Sequence, residues 1–462
     1  MEYGRSFDPS KSLFDQLKAL QSVTRHRTLS INHSENSEYC NNNICLKNCY
    51  LVFNSSWSED CMYCERSIRT KDCIDCTESP SCELCYGCTA CTHCYAIRSS
   101  EFCEDCSESS FLAFCRSCRN CFGCVNLRHR EYCIWNEQKT KEEYEAFKQS
   151  LQRTSYRAQQ ALQERFAEWC MQHPRPGVIH RFSEHSTGNF LISVRNVENG
   201  FFVSDAEDCK HCFAVYEGAK DCREFSFFGL RAELLYECVQ CGINDHHELF
   251  CLDCWENNSD LMYCMMCHGC KHCFGCVGLQ KKHYCILNTQ YTKDEYETLV
   301  PRIIEHMRTT GEWGEFYPIP FSSIPYNHSV AQRYFPLSQK NVGDVGGFWY
   351  EEHAANAIGG VDAAQLPDGL PTNDDPIIVK SAASGRPFKI TSQEIKRYRQ
   401  FAVPLPRMTY DERMEERAKK LGGVKLYERT CAKTGKPILT TYPPESPYIL
   451  WDRDVYEKEF GS

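Results

Sequence analysis

The chain has 462 residues, 34 of them cysteine, and a formal net charge of −10. Cysteine usage is about four times ordinary, and the length provides ample buried core for several units. The acidic balance excludes a body that binds phosphate backbones broadly, and no run of about 18 apolar residues offers a membrane span.

Residues 1–29 contain "MEYGRSFDPSKSLFDQLKAL", which reads as a short amphipathic N-terminal helix rather than a basic-then-apolar leader. The expected compartment is therefore cytoplasmic and reducing. There the cysteines would stay thiols or metal ligands rather than disulfides.

Two similar passages follow, 152 residues apart. "CRSCRNCFGCVNLRHREYCIWNEQKTKEEYEAF" starts at Cys115, and "CHGCKHCFGCVGLQKKHYCILNTQYTKDEYETL" starts at Cys267. Upstream, "EDCMYCERSIRTKDC" at Glu59 echoes "EDCKHCFAVYEGAKDC" at Glu207. The chain thus holds two tandem copies of one Cys-rich module, over 30–139 and 178–291.

Within the first copy, Cys40, Cys61, Cys82, Cys103 and Cys124 recur every 21 residues; in the second, Cys222, Ile243, Cys264 and Cys285 keep the same step. The helical i, i+3, i+4, i+7 pattern is missing. The expectation is a mainly β fold: two tandem parallel β-solenoid (β-helix) modules with a 21-residue coil. Every third position from Cys49 to Cys133 holds Cys, Ser, Thr, Val, Ile or Leu, apart from Arg130. Small residues at that spacing suit a narrow interior, in which a thiol is a compact, readily buried group.

Each copy leads into a helix, over 140–177 and 292–312. Thr140 with Glu143, and Thr292 with Glu295, have capping-box spacing. The first helix is expected to continue through "YEAFKQSLQRTSYRAQQALQERFAEW". The second is expected to kink or restart at Pro301 and to end near Gly311. Residues 313–376 read as an irregular wrapping segment. Residues 377–462 form a small α+β module with 17 Lys and Arg against 11 Asp and Glu, a local charge of +6 that leaves −16 on the first 376. Its "SAASGRPFKI" and "CAKTGKPILT" read as knuckles leading into strands, and Thr391/Glu394 and Thr409/Glu412 as further capping boxes.

Three chemistries compete with simple packing for the cysteines. Zinc takes four tetrahedral donors, usually from Cys-x-x-Cys pairs. Stacking of adjacent coils would bring Cys61 and Cys64 to Cys82 and Cys85, and Cys251 and Cys254 to Cys273 and Cys276. An iron–sulfur cluster is less well matched, because the C-x2-C-x2-C runs in Cys82–Cys94 and Cys264–Cys276 lack the fourth Cys followed by Pro. Disulfide ladders need an oxidising compartment. "NDHHELF" offers Asp245, His246, His247 and Glu248 but is not a His-Glu-x-x-His helix, and reads as a polar bend. His93, His268 and His272 are expected to face outward. "NVGDVGGFWYEEHAANAIGG" lacks the Lys-Ser/Thr ending of a phosphate loop. No catalytic constellation assembles, so the chain is not read as an enzyme.

The segments "NCFGCVNL" and "HCFGCVGL" with their following helices, together with "GRPFKITSQEIKRYRQFAVPLPR" and "RTCAKTGKPILTTY", resemble an uncharacterised family of Cys-rich repeat proteins, mostly from small-genome bacteria, with zinc-ribbon-like C-terminal ends. The resemblance spans most of the chain and brings no known activity. It implies Cys-x-x-Cys knuckles in the tail, where this sequence has Ser381 and Ser384, Thr409 and Glu412, Cys431 and Thr434, and Trp451 and Asp454. These sets fall short of four good donors, so the tail is expected to be metal-free and held by packing.

The functional expectation is a non-catalytic scaffold that recognises a protein partner through a long regular surface. A zinc-binding or iron–sulfur/thiol redox protein is the first alternative. A nucleic-acid- or ribosome-associated factor acting through residues 377–462 is the second.

Overall fold

The computed structural model describes residues 2–25, 29–79, 81–212, 233–239, 241, 243–351 and 359–461. Cys222, which opens the second copy's cysteine column, lies outside the described residues, as do residues 352–358 of the glycine-rich segment. Nine α-helices are described: α1 (Leu13–Val23), α2 (Lys141–Ser150), α3 (Tyr156–Met171), α4 (Lys293–Thr310), α5 (Val330–Tyr334), α6 (Gln339–Asp344), α7 (Ser392–Phe401), α8 (Tyr410–Leu421) and α9 (Arg453–Phe460).

The expected β-solenoid architecture is corrected. The described strands are two to five residues long and fall into eight small sheets that mix parallel and antiparallel pairs. With the helices between them, the fold is mixed α/β. The 21-residue step is also overturned. Parallel partners in the first copy lie 12 residues apart, as in Lys71↔Glu83 and Ser110↔Phe122. In the second copy the offset is 11 for His180↔Leu191, 13 for Glu233↔His246 and 12 for Lys271↔His283. Cysteines at every third residue match at any multiple of three, so 21 satisfied the sequence as well as 12 did.

The backbone behind this offset is unusual. Every third residue from His33 to Trp135 has a positive φ, between 46° and 67°. That conformation costs a non-glycine residue about 1–2 kcal/mol. Ladder hydrogen bonds offset the strain: Asn48 N–H donates to Glu35 O at 3.1 Å, and Lys47 N–H to Ser58 O at 3.0 Å. The residue after each left-handed one turns inward, where its side chain meets inward-facing carbonyls. Cys73 Sγ donates to Lys71 O at 3.2 Å and to Cys82 O at 3.3 Å. Ser58 Oγ does the same with Ser56 O and Ser67 O. Cysteine and serine therefore alternate freely because each is a small donor beside a backbone acceptor. Arg130, the exception at this spacing, is exposed near the end of the run.

Each copy's parallel pairing ends on a strand turned back on itself. Cys133–Ile134 pairs antiparallel with Glu137–Gln138, and Cys285–Ile286 with Thr289–Gln290. Capping boxes then open α2 and α4 at Thr140/Glu143 and Thr292/Glu295, and also α7 and α8 at Thr391/Glu394 and Thr409/Glu412. The helix expected over 140–177 is two helices, because Ser155 caps a fresh start at α3. Conversely, α4 passes Pro301 without a break and stops at Gly311, whose φ is 75°.

The helices cover the ladders with apolar faces. Leu13, Leu17 and Leu20 of α1 pack on Tyr263, Phe274 and Val277 of the second copy, each burial contributing about 1.5–3 kcal/mol. Phe166 and Cys170 of α3 join Phe111 and Phe122 of the first copy. Ile395 and Tyr398 of α7 pack against Met62 and Ile74. Charge follows the same plan, the basic tail docking on the acidic body. Arg413 and Arg417 of α8 both reach Asp75, and Arg397 of α7 reaches Asp72 at 3.0 Å. In the tail, Ile377–Lys380 with Pro387–Ile390, and Tyr427–Thr430 with Pro437–Thr440, form two antiparallel hairpins. At their turns Ser381 Oγ donates to Glu412, and Cys431 Sγ accepts from Asp452 N–H at 3.2 Å. No helix among the described residues is long and apolar enough to cross a membrane.

Candidate metal centre

The second copy contains one place where the inward column changes chemistry. Leu235 pairs with Glu248, and Glu248 with Leu261, in consecutive parallel strands. A carboxylate thus occupies a position that leucine fills on both sides. Glu248 is 0% exposed, and neither of its carboxylate oxygens has a hydrogen-bond partner. Leaving such a group buried and unpaired costs several kcal/mol.

Two thiols stand next to it. Among the described residues, Cys238, Cys241 and Glu248 form the group of three metal-ligating side chains whose donor atoms all lie within 4.8 Å of one another. All three are buried. Cys238 Sγ also donates to the backbone carbonyls of Tyr236 and Glu248, at 3.4 Å each. The bridge Val239↔Leu252 sets Cys251 beside Cys238 and Cys254 beside Cys241. Four thiols and a carboxylate are therefore gathered over two adjacent strands. Asp245 is buried nearby and accepts from Asn258 N–H at 2.8 Å through Oδ1.

Electrostatics distinguish the members. Burial pushes the Glu248 carboxyl well above the ordinary range, and the neighbouring Cys254 and Asp245 push it further. Burial also opposes ionisation of Cys238, but hydrogen bonds from Cys241 and Cys251 outweigh it and bring that thiol down to about 5. A site in which the Cys238 and Cys254 thiols are both lowered, beside a reluctant carboxyl, lacks a positive charge. A divalent cation would supply it, displacing protons as it binds. Tetrahedral zinc, with Zn–S near 2.3 Å, needs donors roughly 3.3–3.8 Å apart. The observed grouping closes to that with side-chain movements of about 1 Å.

The quartets expected from the sequence are distributed differently. Bridges Glu59↔Lys71 and Met62↔Ile74 set Cys61 beside Cys73 and Cys64 beside Cys76, while Cys73 pairs with Cys85. Cys82 sits beside Cys94 through Glu83↔Tyr95. Cys61/Cys64 and Cys82/Cys85 are therefore not neighbouring pairs. On the far side, Cys251 and Cys254 neighbour Cys264 and Cys267 through Leu252↔Met265 and Trp255↔His268. Cys273 pairs with Leu261 and Cys285, and Cys276 lies beside Cys264, so neither meets Cys251 and Cys254. Every described cysteine is a free thiol.

"NDHHELF" is a short strand between bends at Asn244 and Phe250. His246–Leu249 is a strand, with Asp245 and Glu248 turned inward, His246 exposed and His247 Nδ1 2.8 Å from an Asp260 carboxylate oxygen. Counting inward positions from Cys238 and Cys241, with one extra residue, reaches both acids. That count was the signal available in the sequence. His93 and His272 face outward beside Asp105 and Asp260.

No family model matches the chain, and no curated protein matches it. A solved structure named as an acetyltransferase from Desulfovibrio desulfuricans covers 62% of this chain and 81% of its own, at 9% identity and a TM-score of 0.12. That score is too low to indicate a shared fold.

Proposed function

We propose that the protein is a non-catalytic, thiol-based binder of a borderline divalent cation of the zinc class, held by Cys238, Cys241 and Glu248 with Cys251 or Cys254 completing the set. The observation that carries this reading is the fully buried Glu248 carboxylate, unpartnered and within ligating distance of two thiols. Thiolate and carboxylate donors together suit zinc better than an iron–sulfur cluster, which is usually held by four Cys thiolates. The remaining cysteines act as small hydrogen-bonding core groups.

The partner-recognition reading depended on a long regular surface, a premise removed with the solenoid. The nucleic-acid reading rests on the basic groups of residues 377–462, of which Arg397, Arg413 and Arg417 are engaged with carboxylates of the body.

Metal analysis of the full chain, purified anaerobically and loaded with zinc, tests the proposal. About one tightly held zinc per chain is expected, absent from both Glu248→Leu and Cys241→Ser. Equal metal content in the parent and both variants would overturn it. Strong visible absorbance after anaerobic purification would reassign the thiols to an iron–sulfur cluster.

A further inference from the structure

Each copy closes one end of its parallel ladder and leaves the other open. At the far end the turned-back strands Glu137–Gln138 and Thr289–Gln290 cover the last row. At the near end nothing among the described residues does so. Glu35 N–H donates to Leu46 O at 2.8 Å, and Glu35 O accepts from Asn48 N–H at 3.1 Å. Twelve residues before these two partners, Ser34 O and Asn36 N–H have no hydrogen bond among the described residues, and neither do Ser37 O and Tyr39 N–H. The second copy repeats the arrangement. Glu184 N–H donates to Val194 O and Glu184 O accepts from Asn196 N–H, while Ser183 O, Ser186 O and the N–H groups of Phe182 and His185 are left over. Both rows reach the surface: Asn36 and His185 are exposed, as are Tyr39 (69%) and Phe182 (87%).

The side chains beside these rows follow a charge pattern. In the first copy Glu35, Lys47, Glu59 and Lys71 succeed one another in register, with Lys47 Nζ 2.8 Å from Glu59. In the second copy Glu184, Arg195 and Glu207 do the same, with Arg195 2.9 Å from Glu207. Opposite charges in facing positions favour pairing of neighbouring strands. Both columns begin on an exposed glutamate with no row in front of it. The two open rows also agree in composition, Ser34-Glu35-Asn36-Ser37 against Ser183-Glu184-His185-Ser186. Their serine hydroxyls are spent within the row, Ser37 Oγ on Glu35 O at 2.9 Å and Ser186 Oγ on Glu184 O at 2.7 Å. What remains to be met is therefore backbone and charge. A residue placed opposite the glutamate meets both: its N–H reaches Ser34 O or Ser183 O, its C=O receives Asn36 or His185 N–H, and its side chain continues the alternation when it is cationic.

We propose that each open row takes an extended, lysine- or arginine-bearing segment of a partner protein as an added parallel strand. Main-chain hydrogen bonds supply the affinity in this mode of recognition, and side chains at repeating positions supply the choice of partner. A second copy of this chain does not meet the requirement. Its far ends are closed, and its open rows present glutamate rather than a cation. This inference stands independently of the metal reading.

Calorimetric titration of the full chain with a blocked nonapeptide of three Ser-Lys-Asn repeats tests it. One control peptide has glutamate in place of lysine, and a second keeps lysine but carries a methyl group on each lysine backbone nitrogen. The unmodified lysine peptide is expected to bind roughly tenfold more tightly than either control, and to slow hydrogen exchange over residues 34–39 and 182–186. Glu35 and Glu184 are exposed, so reversing them leaves the core intact. In the double variant Glu35→Lys/Glu184→Lys the lysine peptide should lose about tenfold in affinity and the glutamate peptide should gain. Failure of the lysine peptide to bind, equal binding of either control, exchange slowed only elsewhere, or a preference unmoved in the double variant would overturn the proposal.

Discussion

Glu248 pairs with Leu261 in the parallel register, so a carboxylate and an aliphatic side chain fill equivalent inward positions one step apart. The neighbouring strand shows what the position accepts without metal. Replacing Glu248 by leucine therefore removes a buried, unpartnered carboxyl group and restores a column of leucines.

The substitution should have opposite effects with and without metal. In chelator, Glu248→Leu is expected to stabilise the protein by about 1–3 kcal/mol, the cost of leaving a buried polar group without a partner. With zinc present the parent should regain the difference through ligand binding. Urea denaturation under both conditions checks this; destabilisation by Glu248→Leu in chelator would contradict it.

Most thiols should behave differently from those at the metal site. Cys115 Sγ donates to Ala113 O at 3.5 Å and Cys124 O at 3.4 Å, the arrangement that Ser58 achieves with its hydroxyl. Cys115→Ser should cost under about 1 kcal/mol and Cys115→Ala about 1–2, reflecting one hydrogen bond and a small void. Both should leave zinc stoichiometry unchanged, which separates packing thiols from ligating ones.

One acid of the body serves two arginines of the tail. Asp75 accepts from Arg413 and Arg417, both largely buried. Asp75→Asn should destabilise the protein by about 3–5 kcal/mol, the usual result of leaving buried charges unpaired. Denaturant titration measures the loss, and limited proteolysis should then cut residues 377–462 first.

A pH effect is expected at His180. Its Nε2 lies 3.0 Å from Gly188 O and its Nδ1 3.2 Å from an Arg453 nitrogen. Burial holds its pKa below the ordinary 6.5, and Arg453 adds to the depression. The unfolded chain then binds the proton more readily than the folded one, so stability is full above about 6.5 and falls as pH drops below it. Thermal melts from pH 7.5 to 5 should show that decline in the parent and a smaller one in His180→Asn. Equal slopes would contradict the assignment.

The sequence carried the triplet spacing plainly, because inward Cys, Ser and Leu recur where side chains meet backbone carbonyls. It did not carry the offset between neighbouring strands. That quantity depends on how many triplets close one step, and cysteine at every third residue looks alike at 12, 21 or 24. The offset also decides which thiols adjoin: Cys251 and Cys254 stand beside Cys238 and Cys241 rather than Cys273 and Cys276, and Glu248 joins them through a 13-residue step. An acid beside two histidines ordinarily marks a solvated surface, so the composition of this segment points away from the buried position that Glu248 takes. The capping boxes were legible because each involves residues three apart and needs no distant partner.

The antiparallel strands at Glu137–Gln138 and Thr289–Gln290 have a consequence for the protein in a crowded cell. A row of parallel strands ends in unpaired N–H and C=O groups, which can template the addition of another chain. Here Gln138 Nε2 donates to Glu131 O, and Gln290 Nε2 to His283 O, so a side-chain amide fills the next hydrogen-bonding place. The chain then leaves as a helix. These two edges are thereby closed by the molecule itself and offer another chain no open row of backbone groups to extend.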